Sequence, residues 1–262
     1  MISVENDPNE IAKIEKAISS NVEMCARTYS TAFYVVGENG FFCLMGSGTF
    51  VNLNGKKHIL TASHVADELE KHNDIGITIS GNGRYFRLET KYLCFKKWKS
   101  DRYESNSPDL AAIELPGGKV AEIEARGKSF YNLDSRITQK DYGGMWAING
   151  WPEESAKYKT IDELKSTIGL CRIALTINPR FQNCDGYNLA IFKLRGGRDE
   201  LGLSSYGGIS GAGCWNFTVQ EQKGVYSAVD ITLEAVVFYQ LEDLGNIREV
   251  VAHNINSASF LR

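Results

Sequence analysis

Short runs of aromatic and β-branched residues, broken every few positions by turn signals, recur along most of this chain and leave little room for anything but β-sheet. Residues 32–36 (AFYVV), 41–45 (FFCLM), 48–53 (GTFVNL) and 58–61 (HILT) follow one another closely. GENG at 37–40 separates the first two, and Asn54-Gly55 is a strong two-residue hairpin signal. Residues 75–79, 85–88, 92–95 and 110–115 continue the series until Pro116-Gly117-Gly118 closes it. The stretch to about residue 140 reads as a connector with some helical character. A second series then runs through residues 145–148, 169–177, 189–194, 213–217 and 233–239. The two ends differ. Ile11, Ile14, Ala17 and Ile18 fall at helical spacing within residues 8–19, and Ile247, Val250 and Val251 share one face within residues 246–256. The expectation is an all-β protein with short N- and C-terminal helices. It divides into an N-terminal helical segment (1–33), a first β block (34–125) and a second (126–262).

Composition removes several classes of function. The chain has 262 residues, with 29 Lys and Arg against 32 Asp and Glu, a formal charge of −3. A dedicated nucleic-acid binder carries a basic excess instead. No run approaches the ~18 apolar residues that span a bilayer, and the start, MISVENDPNEIAKIEK, lacks a signal-peptide layout. A cytoplasmic protein without nucleic-acid or membrane partners is expected. The six cysteines (Cys25, Cys43, Cys94, Cys171, Cys184, Cys214) show no CxxC spacing, and the four histidines fit no metal-ligand pattern. The cysteines read as buried free thiols, and no metal or organic cofactor is expected.

Three stretches carry groups with chemical potential. HILTASHV (58–65) runs a strand into His64. SPDLAAIEL (107–115) puts Asp109 at the mouth of an apolar strand, and YGGISGAGCW (206–215) puts Ser210 in a glycine-rich turn. Singly, each has a plain reading: a half-buried histidine at a strand end, a strand-start cap, a tight turn. Together they supply a base, an orienting carboxylate and a nucleophile. A serine hydroxyl needs an imidazole to take its proton, and the imidazole needs a carboxylate to hold its tautomer. The oxyanion needs backbone N–H donors already aimed at it, for which Gly208 and Ser210 are the candidates.

In these residues the chain resembles the trypsin-like (chymotrypsin-fold) serine proteases, in the form of the intracellular bacterial members. LTASHV looks like that family's strand with the catalytic His, SPDLAAIEL like its strand with the catalytic Asp, and GGISGAGCW like its nucleophile turn. Asp109 follows His64 by 45 positions and Ser210 follows Asp109 by 101, in family order. GSGTFV (46–51), AINGWP (147–152) and LEAVVFYQ (233–240) are similar to further strands of that fold. The resemblance implies two six-stranded antiparallel β-barrels, with His64 and Asp109 from the first and Ser210 from the second. It also implies a specificity pocket floored near Ser204 and walled by Phe238, Tyr239 and Gln240, where Asp185, Asp199 or Glu242 could reach in. Ile209 stands where secreted members carry an Asp that pairs with a freed N-terminus, so activation by N-terminal cleavage is not expected. Val65 stands where many have Cys, and Phe238 where many have a Ser that helps orient the Asp.

The implied activity is limited, regulated endopeptidase cleavage of a protein or peptide, with an activating partner protein as a further expectation. The rival reading is a catalytically silent module of the same fold that captures an extended peptide by strand addition. An esterase or acyl transferase on this fold is a third. An α/β-hydrolase fails, because Ala212 replaces the second glycine of G-x-S-x-G. The KKWK cluster at 96–99 reads as a solvated strand edge, and GGRDE at 196–200 as a loop.

Overall fold

The computed structural model describes residues 14, 16–18, 22, 24, 27–37, 42–79, 85–99, 107–134, 145–152, 172–177, 179–184, 187–193, 207–241 and 249–256. Eight strands build the first sheet. They are β1 (Ser30–Val36), β2 (Phe42–Leu53), β3 (Lys56–Thr61), β4 (Asp74–Thr78), β5 (Tyr85–Glu89), β6 (Cys94–Lys99), β7 (Asp109–Glu114) and the two-residue β8 (Tyr131–Asn132). Seven build the second: β9 (Met145–Gly150), β10 (Arg172–Ile177), β11 (Arg180–Cys184), β12 (Tyr187–Lys193), β13 (Gly213–Gln222), β14 (Val225–Leu241) and β15 (Glu249–Asn254). The spatial orders are β5-β4-β1-β2-β3-β7-β6, with β8 beside β2, and β10-β9-β13-β14-β15-β12-β11. All pairings are antiparallel except β2 with β8. The all-β expectation therefore holds. The strand counts exceed the six per block expected, and among the described residues neither sheet closes on itself.

The strands near the middle read as continuous apolar runs because both their faces are covered. In β2, Phe50 joins one core cluster and Val51 another; in β3, Ile59 and Leu60 divide in the same way. Both clusters draw on the two sheets. Leu189, Ile191, Phe238 and Val251 of the second sheet join Phe33, Phe50 and Ile113 of the first, while Trp215, Leu233 and Val236 join Val51, Leu60 and Leu110. Alternate residues of β7 are thus spent on two cores, and Ala111 and Ala112 are small because little space remains on either side.

The turn between β2 and β3 is as the Asn-Gly signal predicts. Asn54 and Gly55 have φ of 53° and 72°, and both N–H groups donate to the Asp134 carboxylate, at 2.8 and 3.1 Å. Two short helices serve the first sheet: α1 (Ser63–Leu69), directly after β3, and α2 (Gly117–Glu124), in the connector.

At the N-terminus the described residues between 14 and 29 are helical. Ile14, Ile18 and Val22, four apart, are buried against Met145, Ala147, Phe217 and Tyr226 of the second sheet. Ala17, expected on that face, is exposed, and Ile11 lies outside the described residues. Lys128, itself buried, donates to the carbonyls of Arg27 and Ser30 where this helix gives way to β1, at 2.8 and 2.6 Å.

Three expectations are corrected. The C-terminal segment is strand, not helix: β15 pairs with β12 on one side and β14 on the other. Val250 and Val251 are both buried, so the strand is covered on two faces and shows no period-2 signature. Strand β11 was not foreseen, since its residues are mostly exposed and, among the described residues, it pairs only with β12. Cys43 and Cys94 are exposed rather than buried, Cys43 at an outward position of β2 and Cys94 at the head of edge strand β6. Cys214 is buried, and burial pushes its thiol pKa up. Cys25 and Cys171 lie outside the described residues. No described helix is long and apolar enough to cross a membrane.

Candidate active site

His64 is the second residue of α1, and Asp109 opens β7, which pairs with β3 immediately before that helix. The Asp109 carboxylate uses both oxygens on one residue. Oδ2 accepts from the His64 ring at Nδ1, 2.6 Å away, and Oδ1 accepts the His64 backbone N–H at 2.9 Å. A donating Nδ1 leaves the Nε2 lone pair as the basic site of the ring. The backbone contact also satisfies a first-turn N–H of α1, whose N-cap Ala62 offers no side-chain acceptor. Asp109 is 3% exposed, while the His64 side chain is 36% exposed. The carboxylate is therefore shielded and the imidazole reachable. Lys97 and Lys99 of β6 pair with Asp67 and Glu70 and tie α1 to the edge of the sheet. The KKWK cluster is an edge strand as expected, with two of its lysines engaged and Trp98 packed on Tyr187.

Behind Asp109 stands a residue the sequence reading did not single out. His253 of β15 is fully buried, and its Nε2 accepts the Asp109 N–H at 2.9 Å. Its ring is stacked on Phe238, with centroids 4.2 Å apart and an interplanar angle of 23°. Burial holds the His253 pKa down to about 4, with the Asp109 charge and the Ser107 backbone opposing in part. Unfolding restores a value near 6.5, so the unfolded chain binds more protons between these values and stability falls as pH drops through that window. The stability advantage of wild type over His253→Gln, read by urea unfolding, is expected to shrink by about 3 kcal/mol between pH 6.5 and 4. A gap that stays constant with pH would contradict the buried, neutral ring. Spacing gave no hint of this residue, because the region was read as helix.

Ser210 lies in the turn that leads into β13, and the turn is docked on the first sheet. Gly208 and Gly211 have φ of 86° and 92°, conformations that favour glycine. At Gly211 a Cβ would lie 1.8 Å from the Ser47 carbonyl oxygen and 2.4 Å from Thr61 Oγ1, so only glycine fits. The Gly211 N–H donates to Val237 O at 2.7 Å, and Val237 N–H returns a bond to Ala212 O at 2.9 Å. The Ser210 carbonyl accepts Ser47 N–H at 2.8 Å. A Cβ at Gly46 would touch both Val65, next in sequence to His64, and the Ser210 carbonyl oxygen. The Ser210 turn and the start of α1 thus meet over one glycine. Among the described residues, the N–H groups of Gly208 and Ser210 donate to nothing, as an anion-binding turn requires.

The other site candidates fare differently. Phe238 is 1% exposed and packs in the core on His253, so its side chain forms no wall of an open pocket. Ser204, the loop at 196–200, and Asp185, Asp199 and Glu242 lie outside the described residues, as do the side chains of Tyr239 and Gln240. No group of three or more His, Cys, Asp or Glu among the described residues could hold a metal ion.

No family model matches the chain, and no curated protein matches it. A solved structure from Sesbania mosaic virus is similar in fold. It is described as "Aromatic interactions drive the coupled folding and binding of the intrinsically disordered Sesbania mosaic virus VPg protein". It superposes with a TM-score of 0.50 at 11% sequence identity, over 90% of this chain and 91% of that one. At that identity the likeness speaks to the fold alone.

Proposed function

We propose that the chain is a serine endopeptidase of the trypsin-like type, its two sheets corresponding to the two barrels of that fold and its working groups being His64, Asp109 and Ser210. The observation that carries the reading is the double engagement of His64 by a buried carboxylate, beside a serine turn with unspent N–H donors. Ser210 Oγ attacks the scissile carbonyl while His64 Nε2 takes its proton, and Asp109 stabilises the imidazolium that forms. The N–H groups of Gly208 and Ser210 receive the oxyanion. His64 then protonates the leaving amine, and water, activated by the same imidazole, hydrolyses the acyl-enzyme. The substrate is a protein or peptide presented in extended form. The β13 ladder carries on through Val237, which exchanges bonds with Gly211 and Ala212, and β14 runs on to Leu241 with β15 on its other side. Strand addition along this end of β14 is the mode of capture we propose. No metal or cofactor takes part in this scheme.

The test is labelling with a fluorophosphonate, followed by intact-mass and peptide-mass readout. A single adduct on Ser210 is the expected result. A folded protein that stays unlabelled, alone and in lysate, would remove the hydrolase reading and leave the peptide-binding module.

A further inference from the structure

Ser47 lies on β2, in the sheet opposite the nucleophile turn, and is fully buried. Its hydroxyl makes two bonds across the seam. Oγ donates to the Gly208 carbonyl at 2.8 Å and accepts the Trp151 N–H at 3.0 Å. Its backbone N–H takes the Ser210 carbonyl at 2.8 Å, and its own carbonyl is held by Thr61 Oγ1 at 2.8 Å. One residue therefore occupies the carbonyls of both Gly208 and Ser210, the residues whose N–H groups are the anion donors. A glycine peptide unit rotates at little steric cost. If the Gly208 carbonyl were released, the peptide plane between Gly208 and Ile209 could turn, and the neighbouring donors would turn with it.

Resting on the serine hydrolase reading, we infer that Ser47 is a positioning residue: its hydroxyl locks the Gly208–Ser210 turn in the conformation that aims both N–H groups at a developing oxyanion. Trp151 completes the lock. Its N–H fixes the hydroxyl oxygen, so the hydroxyl proton is directed to Gly208. Gly150 makes room for this hydroxyl, because a Cβ there would fall 3.1 Å from Ser47 Oγ. The donors are thus set by a side chain already in place when the chain folds, and no cleavage step is needed to order them.

The test compares Ser47→Ala with Thr49→Val. Thr49, two residues along β2, is also fully buried, and its hydroxyl donates to the carbonyl of the same turn at Gly211, at 3.3 Å. Both variants lose one buried hydroxyl at the seam, so a purely structural role would affect them alike. Misaligned donors cost rate more than binding. Ser47→Ala is expected to lower the maximal fluorophosphonate inactivation rate by about 10²-fold while the half-saturating probe concentration stays within about threefold. Thr49→Val should stay within about threefold on both. Equal losses in the two variants, or a Ser47→Ala rate near wild type, would overturn the inference. ¹⁵N relaxation reads the turn without any reaction: amides 208 and 210 should be ordered in wild type and exchange-broadened in Ser47→Ala. Equal order in both proteins overturns the lock whether or not a probe reacts. An unlabelled wild type with a turn loosened by Ser47→Ala would overturn the hydrolase reading and support the lock.

Discussion

Replacing Ser210 by alanine is expected to lower the hydrolysis rate constant by about 10⁶-fold, with His64→Ala close behind and the double variant no slower than either. On the proposed mechanism the two residues act in a single event. Without an acceptor at His64 Nε2 the serine hydroxyl stays protonated and unreactive, and without the hydroxyl the imidazole has no proton to move. What survives both changes is the donor pair of the turn and any substrate binding, which no longer depend on the missing group. Single-turnover hydrolysis of an activated ester, on proteins of matched circular dichroism, measures all three rates. A double variant slower than each single by the product of their losses would mean that the residues contribute independently, and the coupled mechanism would not stand.

On the same mechanism the second large effect is expected of Asp109→Asn, with a loss of about 10⁴-fold in kcat and little change in folding. The two contacts of this carboxylate explain why an isosteric amide cannot serve. Both are accepted bonds, one from the ring at Nδ1 and one from the backbone of His64. An amide has one oxygen to offer and one NH₂ group that must face the other donor. If NH₂ faces the ring, the imidazole moves its proton to Nε2 and cannot take one from Ser210. If NH₂ faces the backbone, two donors oppose each other in a site that is nearly dry. The loss should sit in kcat rather than KM and should ease above neutral pH, where hydroxide can act as base. A variant within tenfold of wild type at pH 7 would refute the orienting role.

Much of the architecture is legible from residue order alone. Asn54-Gly55 forecast its hairpin, and the runs at 58–61 and 110–115 became the paired strands β3 and β7, which set His64 and Asp109 side by side. The failures share a cause. β15 was read as helix because Val250 and Val251 are buried on opposite faces between two neighbouring strands, and a doubly covered strand carries no alternation to read. β11 shows the opposite problem, an edge strand too polar to register, although Asp185-Gly186 ahead of β12 is a hairpin signal the sequence already contains. His253 and Ser47 were invisible for a third reason. Their importance lies in partners 144 and 161 positions away, a relation set by how the sheets pack and not by any local pattern. Phe238 was expected to line a pocket and instead stacks in the core, because strand register decides which face it takes.

The contact of Gly211 with the Ser47 carbonyl leaves no layer of side chains between the two halves at this point. Where side chains separate two surfaces, they can repack, and the surfaces can slide or drift apart over evolutionary time. Here main chain meets main chain, which behaves as a weld. The halves cannot hinge open along this line without dismantling the turn that carries Ser210. A side chain at position 211 has no room at all, so the weld itself tolerates almost no variation.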